Sequence, residues 1–165
     1  MATTEQIKEL RERTGAGIMD CKRALDEANH DMAGAEKLLK QWGLAAVGKK
    51  AGREAKAGLV DSYIHAGGRI GALVEVNCET DFVARTDDFK TLVHDIAMQV
   101  AAMAPTRLSA SDPSMDGADG DVPLLDQAFI RDQSRTIQDL VNEAIARLRE
   151  NIVVRRFVRF ELGGQ

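Results

Sequence analysis

The chain has 165 residues, 29% of them charged and 44% hydrophobic, the balance of a soluble globular protein with room for one ordinary domain or two small ones. A formal net charge of −4 excludes any general electrostatic pull toward nucleic acid or an anionic membrane. No apolar run approaches the roughly 20 residues of a spanning helix, and "MATTEQIKELRERTG" has no apolar signal core, so neither membrane insertion nor export is expected. Two cysteines, Cys21 and Cys78, are too few for a disulfide framework; they read as small buried hydrophobes in a reducing cytoplasm.

Residues 4–42 read as three short helices. Thr4 is placed to cap the first, which carries Ile7 and Leu10 on its apolar face, and "TGAG" at 14–17 ends it with two glycines. Ile18, Cys21, Leu25 and Ala28 then recur at helical spacing. "NHD" at 29–31 makes a turn in which Asp31 can cap, and Ala35, Leu38, Leu39 and Trp42 form a third stripe that Gly43 stops. Helices joined by turns this short bury one another only as a bundle. Residues 44–57, Ala-rich and basic, read as a helical linker.

Two strand-like runs follow at 58–77 around Ala-Gly-Gly-Arg, a hairpin signal. Ile70, Ala72, Val74 and Val76 point to one face; Leu73, Glu75 and Asn77 point to the other. From Asp87 to Ala104 the period becomes helical, with Phe89, Leu92, Val93, Ile96, Val100 and Met103 on one face and Thr86 as the cap. Residues 105–126 hold all three prolines and gather Asp112, Asp116, Asp119, Asp121 and Asp126, the composition of a solvated acidic loop. A further helix begins near Ser134, with Ile137, Leu140, Val141, Ala144, Ile145 and Leu148 as its stripe. "NIVVRRFVRFEL" from Asn151 then alternates as a third strand, Ile152, Val154, Arg156, Val158 and Phe160 against Val153, Arg155, Phe157, Arg159 and Glu161.

Three constellations could carry function. Cys78, Glu79 and Asp81 lie close together, with His65 and His94 elsewhere, which admits an acid–base pair or a Cys–His nucleophile. The plainer reading is structural, because no P-loop, dinucleotide fingerprint, zinc spacing or nucleophile elbow accompanies them. "KKAGREAK" and "RRFVR" are basic, and Phe157 and Phe160 interleave with arginine as a stacking surface for single strands would require; the acidic total weighs against it. Met19 follows Ile18 and points roughly 100° away around the helix, so it is either core packing or a contact. In a chain only 4% aromatic, Phe82 sits beside Asp81 in a connector. It is either a plug under the strand-to-helix turn or an exposed anchor for a partner, and composition leaves both readings open.

Two long stretches, "LRERTGAGIMDCKRAL" at 10–25 and "EVNCETDFVAR" at 75–85, resemble the signatures of the bacterial elongation factor Ts family, in the family's order. "KKAGREA" from Lys49 and "NIVVRRFVRFELG" from Asn151 are similar to its linker and closing strand, and the resemblance covers nearly all of the chain outside residues 106–124. It implies a guanine-nucleotide exchange factor for the GTPase elongation factor Tu, with no covalent chemistry, cofactor or metal of its own and no direct nucleic-acid or membrane partner. It implies that the amino-terminal bundle is similar to ubiquitin-associated domains and docks through Leu10, Arg11, Ile18, Met19 and Asp20. It implies that Thr80, Asp81, Phe82 and Val83 enter the GTPase beside its magnesium site, with Phe82 wedged between two helices. The alternative is a nucleic-acid-binding accessory protein of translation. Where many members carry a longer, partly helical insert, this chain has its acidic loop, and Arg149 stands where a glycine usually precedes "ENI".

The expected architecture is therefore α+β. A three-helix bundle like a ubiquitin-associated domain fills residues 1–43, and a helical linker fills 44–57. An α+β core with a small three-stranded antiparallel sheet packed with helices fills 58–165, including the acidic loop at 105–126. Helices covering one face of such a sheet leave the other for a second copy, so a homodimer binding two GTPases is expected. The alternative is a monomer whose linker helix covers the second face.

Overall fold

The first helix, α1 (Thr4–Thr14), starts one residue earlier than Thr4 would allow, because Thr3 is its cap. Thr3 Oγ1 accepts from the Gln6 amide at 3.2 Å, and Gln6 Oε1 accepts from the Thr3 amide at 3.1 Å, a reciprocal pair that satisfies two otherwise orphaned donors. The computed structural model describes residues 1–113 and 120–164, so Asp116 and Asp119 of the expected acidic loop lie outside the described residues.

Helices α1, α2 (Ile18–Glu27) and α3 (Met32–Lys50) pack around Leu10, Cys21, Ala24, Leu25 and Ala35, all fully buried. Asp31 caps α3 as expected, accepting from the Gly34 amide at 2.7 Å. Two expectations fail in this region. Ile18 does not join the bundle stripe; it is 54% exposed at the first position of α2. Gly43 does not stop the third helix but lies inside it. A single glycine costs a helix only about 1 kcal/mol, and here its missing side chain lets α3 approach α6 (Ile137–Leu148): a Cβ at Gly43 would sit 3.4 Å from that of Ala146. The helical part of the expected linker is thus the second half of α3. Residues 51–56 are a turn and an irregular stretch leading into the sheet.

Strands β1 (Ala57–Ile64), β2 (Ile70–Cys78) and β5 (Val153–Glu161) form an antiparallel sheet in the order β1-β2-β5. Between β2 and β5 come α4 (Asp81–Ala84), α5 (Asp87–Met103), a 3-10 turn at Leu124–Asp126, β3 (Ala128–Phe129), β4 (Asp132–Thr136) and α6. The class is α+β, with six α-helices among the described residues. Helix α5 lays Phe89, Leu92, Val93, Ile96 and Val100 onto Ala72, Val74, Val76 and Val154 of the sheet. Thr86 caps it through the Phe89 amide. Met103, expected on the same stripe, is exposed at its end. Helix α6 starts at Ile137 with Thr136 as its cap, later than Ser134, because residues 132–136 pair with β3 as a small ladder. The end of the acidic loop also belongs to the core: Leu124 is fully buried, and buried Gln99 donates to Gln127 and the Ala128 carbonyl.

A bulge decides the faces of β5. Glu75 pairs with Arg156, but Val76 pairs with Val154, which leaves Arg155 as the extra residue. The simple alternation expected for this strand therefore breaks. Val154, Phe157 and Arg159 belong to the core face, where Arg159 Nε donates to the Ala101 carbonyl at the end of α5. Arg156, Val158 and Phe160 lie on the other face beside Glu75, Leu73 and Gly71. Val60 and Ile64 of β1 share that second face, opposite Glu75 and Gly71. It is open: Val60, Ile64, Leu73, Val158 and Phe160 are all exposed, and the linker half of α3 packs on α6 rather than over it. The covering role considered for the linker helix in a monomer is not met.

Candidate functional site

Strand β2 ends at Cys78, and the next six residues make a tight turn and one helical turn, α4. Thr80 caps that turn, its hydroxyl oxygen accepting from the Val83 amide at 3.3 Å. The α-helical advance of about 100° per residue then separates two adjacent apolar side chains. Val83 is buried in the core; Phe82 is 82% exposed, beside exposed Asp81. The plug reading of Phe82 is overturned, and Val83 is the plug. Beneath the turn, the buried Cys78 thiol donates to the Thr80 carbonyl at 3.2 Å, and burial, followed by the nearby Glu150 carboxylate, pushes that thiol up to about 11. A thiol held protonated is no nucleophile.

Two residues that sequence reasoning missed brace this turn. Glu150 Oε2 accepts from the amides of Glu79 at 2.9 Å and Thr80 at 3.0 Å, and Glu150 Oε1 accepts from the Thr80 hydroxyl. In return, Glu79 Oε1 accepts from the Asn151 amide at 2.7 Å and faces Arg53 Nη1 at 3.6 Å. Asn151, itself buried, donates its side-chain amide to the Arg53 carbonyl at 2.8 Å. The only signal for them was a polar Glu-Asn pair directly before an apolar strand.

The second set of expected residues lies at the junction of α1 and α2. Gly15 ends α1 with φ 68°, a left-handed conformation that favours glycine, and the Arg147 guanidinium lies against it, 2.8 Å from where a Cβ would stand. Met19 is 73% exposed, and Ile18 and Arg11 are exposed with it. Asp20 is partly buried, with Arg149 Nη2 at 4.0 Å. Leu10 is fully buried in the bundle, so its side chain supports this surface from below and offers no face of its own. Arg149 and Glu150 are adjacent, so one turn between α6 and β5 reaches toward both sets. Phe157, one of two aromatics considered for base stacking, packs against the core. Among the described residues no group of three or more His, Cys, Asp or Glu side chains is placed to hold a metal ion, and no helix is long and apolar enough to cross a membrane.

Comparison with known proteins gives a consistent result. The family model described as Elongation factor TS matches residues 45–117. Proteins named elongation factor Ts are similar along nearly the whole chain: one from Thermoanaerobacter sp. (strain X514) is 51% identical over 99% of this chain and 96% of its own length. One from Carboxydothermus hydrogenoformans is 49% identical over 99% of this chain and 90% of its own. A longer one from Thermosynechococcus vestitus is 51% identical over 95% of this chain but only 64% of its own. The first two alignments run to 195 positions, more than this chain has residues, so these relatives carry residues with no counterpart here.

Proposed function

The chain belongs to the elongation factor Ts family, and from that premise we propose that it is a guanine-nucleotide exchange factor that binds elongation factor Tu carrying GDP and speeds release of the nucleotide. The observation that carries this reading is Phe82. A large apolar side chain held in water at the tip of a braced turn, in a chain with few aromatics, suits an anchor that fills a pocket in a partner.

In this reading Thr80, Asp81 and Phe82 enter the GTPase beside its magnesium site, with Val83 rooting them in this protein's core. Magnesium needs near-ideal octahedral geometry and bridges nucleotide phosphates to protein. A wedge that shifts the surrounding elements spoils that geometry and removes the main counter-charge of the phosphates. Coupling of this kind is reciprocal, so bound nucleotide weakens the factor's hold in equal measure. No bond is made or broken on this chain, which needs no cofactor. Residues 1–43, similar to a ubiquitin-associated domain, dock through Arg11, Ile18, Met19 and Asp20, with Leu10 in support. Residues 44–57 are the linker, and residues 58–165 are the core and dimerisation unit, so that two chains bind two GTPases.

Release of labelled GDP from elongation factor Tu, with and without this protein, tests the proposal. Acceleration at substoichiometric amounts is expected. Salt-sensitive RNA binding with no change in GDP release would overturn it in favour of a nucleic-acid-binding accessory protein.

A further inference from the structure

We propose that Glu150 is the positioning residue of the Phe82 turn, setting where the wedge points without touching the partner; this rests on the exchange reading above. The amides of Glu79 and Thr80 follow the last residue of β2, so the sheet offers them no ladder partner. One half-buried carboxylate, 70 and 71 residues further along the chain, takes both amides and the Thr80 hydroxyl. Backbone donors to an ionised carboxylate make stronger hydrogen bonds than neutral pairs do. The Thr80 oxygen held in this way is the one that caps α4 through Val83. Glu150 thus fixes Thr80, Thr80 fixes the first turn of α4, and that turn aims Phe82. Both carboxylate oxygens are engaged in the turn, so Glu150 acts through Phe82.

Positioning makes the two residues interdependent, whereas a merely structural role would add its effect to any other. GDP release from elongation factor Tu is therefore measured with the wild type, Glu150→Ala, Phe82→Ala and the double variant, alongside Glu150→Gln and amide hydrogen exchange at Glu79 and Thr80. Glu150→Ala removes all three hydrogen bonds of the brace and is expected to slow catalysed release roughly tenfold or more, and to speed amide exchange at both positions. In the Phe82→Ala background the same substitution should change the rate less than about twofold. Glu150→Gln keeps an oxygen for the two amides and should recover most of the rate. If Glu150→Ala fails to fold, Glu150→Asp replaces it, because its shorter side chain cannot span both amides and the hydroxyl. An undiminished rate in Glu150→Ala, or an equal loss in both backgrounds, overturns the positioning role alone. A wild type that leaves GDP release unchanged overturns the exchange reading and this inference with it.

Discussion

Phe82→Ala and Val83→Ala should separate function from stability at neighbouring positions. Phe82 is out in solvent, so its removal should leave the melting temperature unchanged; if it is the anchor proposed above, the loss should cost about 2 kcal/mol or more, some thirtyfold in exchange. Val83 is in the core, and truncating it should lower stability by about 1–3 kcal/mol through lost burial and a small cavity. Thermal melting and GDP release on both variants check this, and a collapsed melting temperature for Phe82→Ala would contradict its exposure. Cys78 adds a pH signature. Its thiol is raised from 9.0 to about 11 in the folded chain, chiefly by burial. Below the unfolded value both states keep the proton and the stabilisation is complete. As pH climbs toward 11, the unfolded chain releases a proton that the folded chain retains, and stability is lost. Urea unfolding at pH 8 and pH 10.5 should show a larger alkaline loss for the wild type than for Cys78→Ala.

Helix α6 ends in a left-handed residue, Arg149, at φ 61°. That conformation costs a residue other than glycine about 1–2 kcal/mol. The compensating contact is an exposed pair with Asp20 at 4.0 Å, the kind worth about 0–1 kcal/mol. Arg149→Gly should therefore raise stability by about 0.5–1 kcal/mol, read as a higher melting temperature; a lower one would show that the reach to Asp20 matters more than the strain. Elements of this kind set what the sequence could reveal. The apolar periods of α5 and β2 located both, because each element buries one face. Gly43 misled because a glycine reads as a stop unless the neighbouring helix it admits, carrying Ala146, is known. The faces of β5 were misread because a bulge is a mismatch of count between two strands, and only the pairing of Val76 with Val154 exposes it. The motif around Phe82 was legible by resemblance, yet Phe82 stayed open as plug or anchor until one helical turn set it apart from buried Val83. Glu150 was out of reach, since its partners lie some 70 residues away.

Among the described residues, nothing covers one side of the three-stranded sheet. Val60, Ile64, Leu73, Val158 and Phe160 lie there around the Glu75–Arg156 pair, whose bond is 3.1 Å. A contiguous apolar face with a paired charge within it suits a second copy related by a two-fold axis. Light scattering at micromolar concentration should give twice the 18.0 kDa of one chain, and Phe160→Asp should return it to one; a wild-type mass that stays at 18.0 kDa as concentration rises would rule the pairing out. A last consequence belongs to α3, which runs unbroken from the bundle to the edge of the core. At about 1.5 Å per residue its 19 residues make a strut of roughly 28 Å. A strut has phase as well as length. One residue inserted between Trp42, which packs in the bundle, and Gly43, which packs on α6, would turn the bundle by about 100° about the helix axis while lengthening the strut by only about 1.5 Å. The direction of Met19 relative to Phe82 would change by that angle, and in the proposed exchange reading a partner that grips both at once would lose one grip although every side chain at either grip is intact.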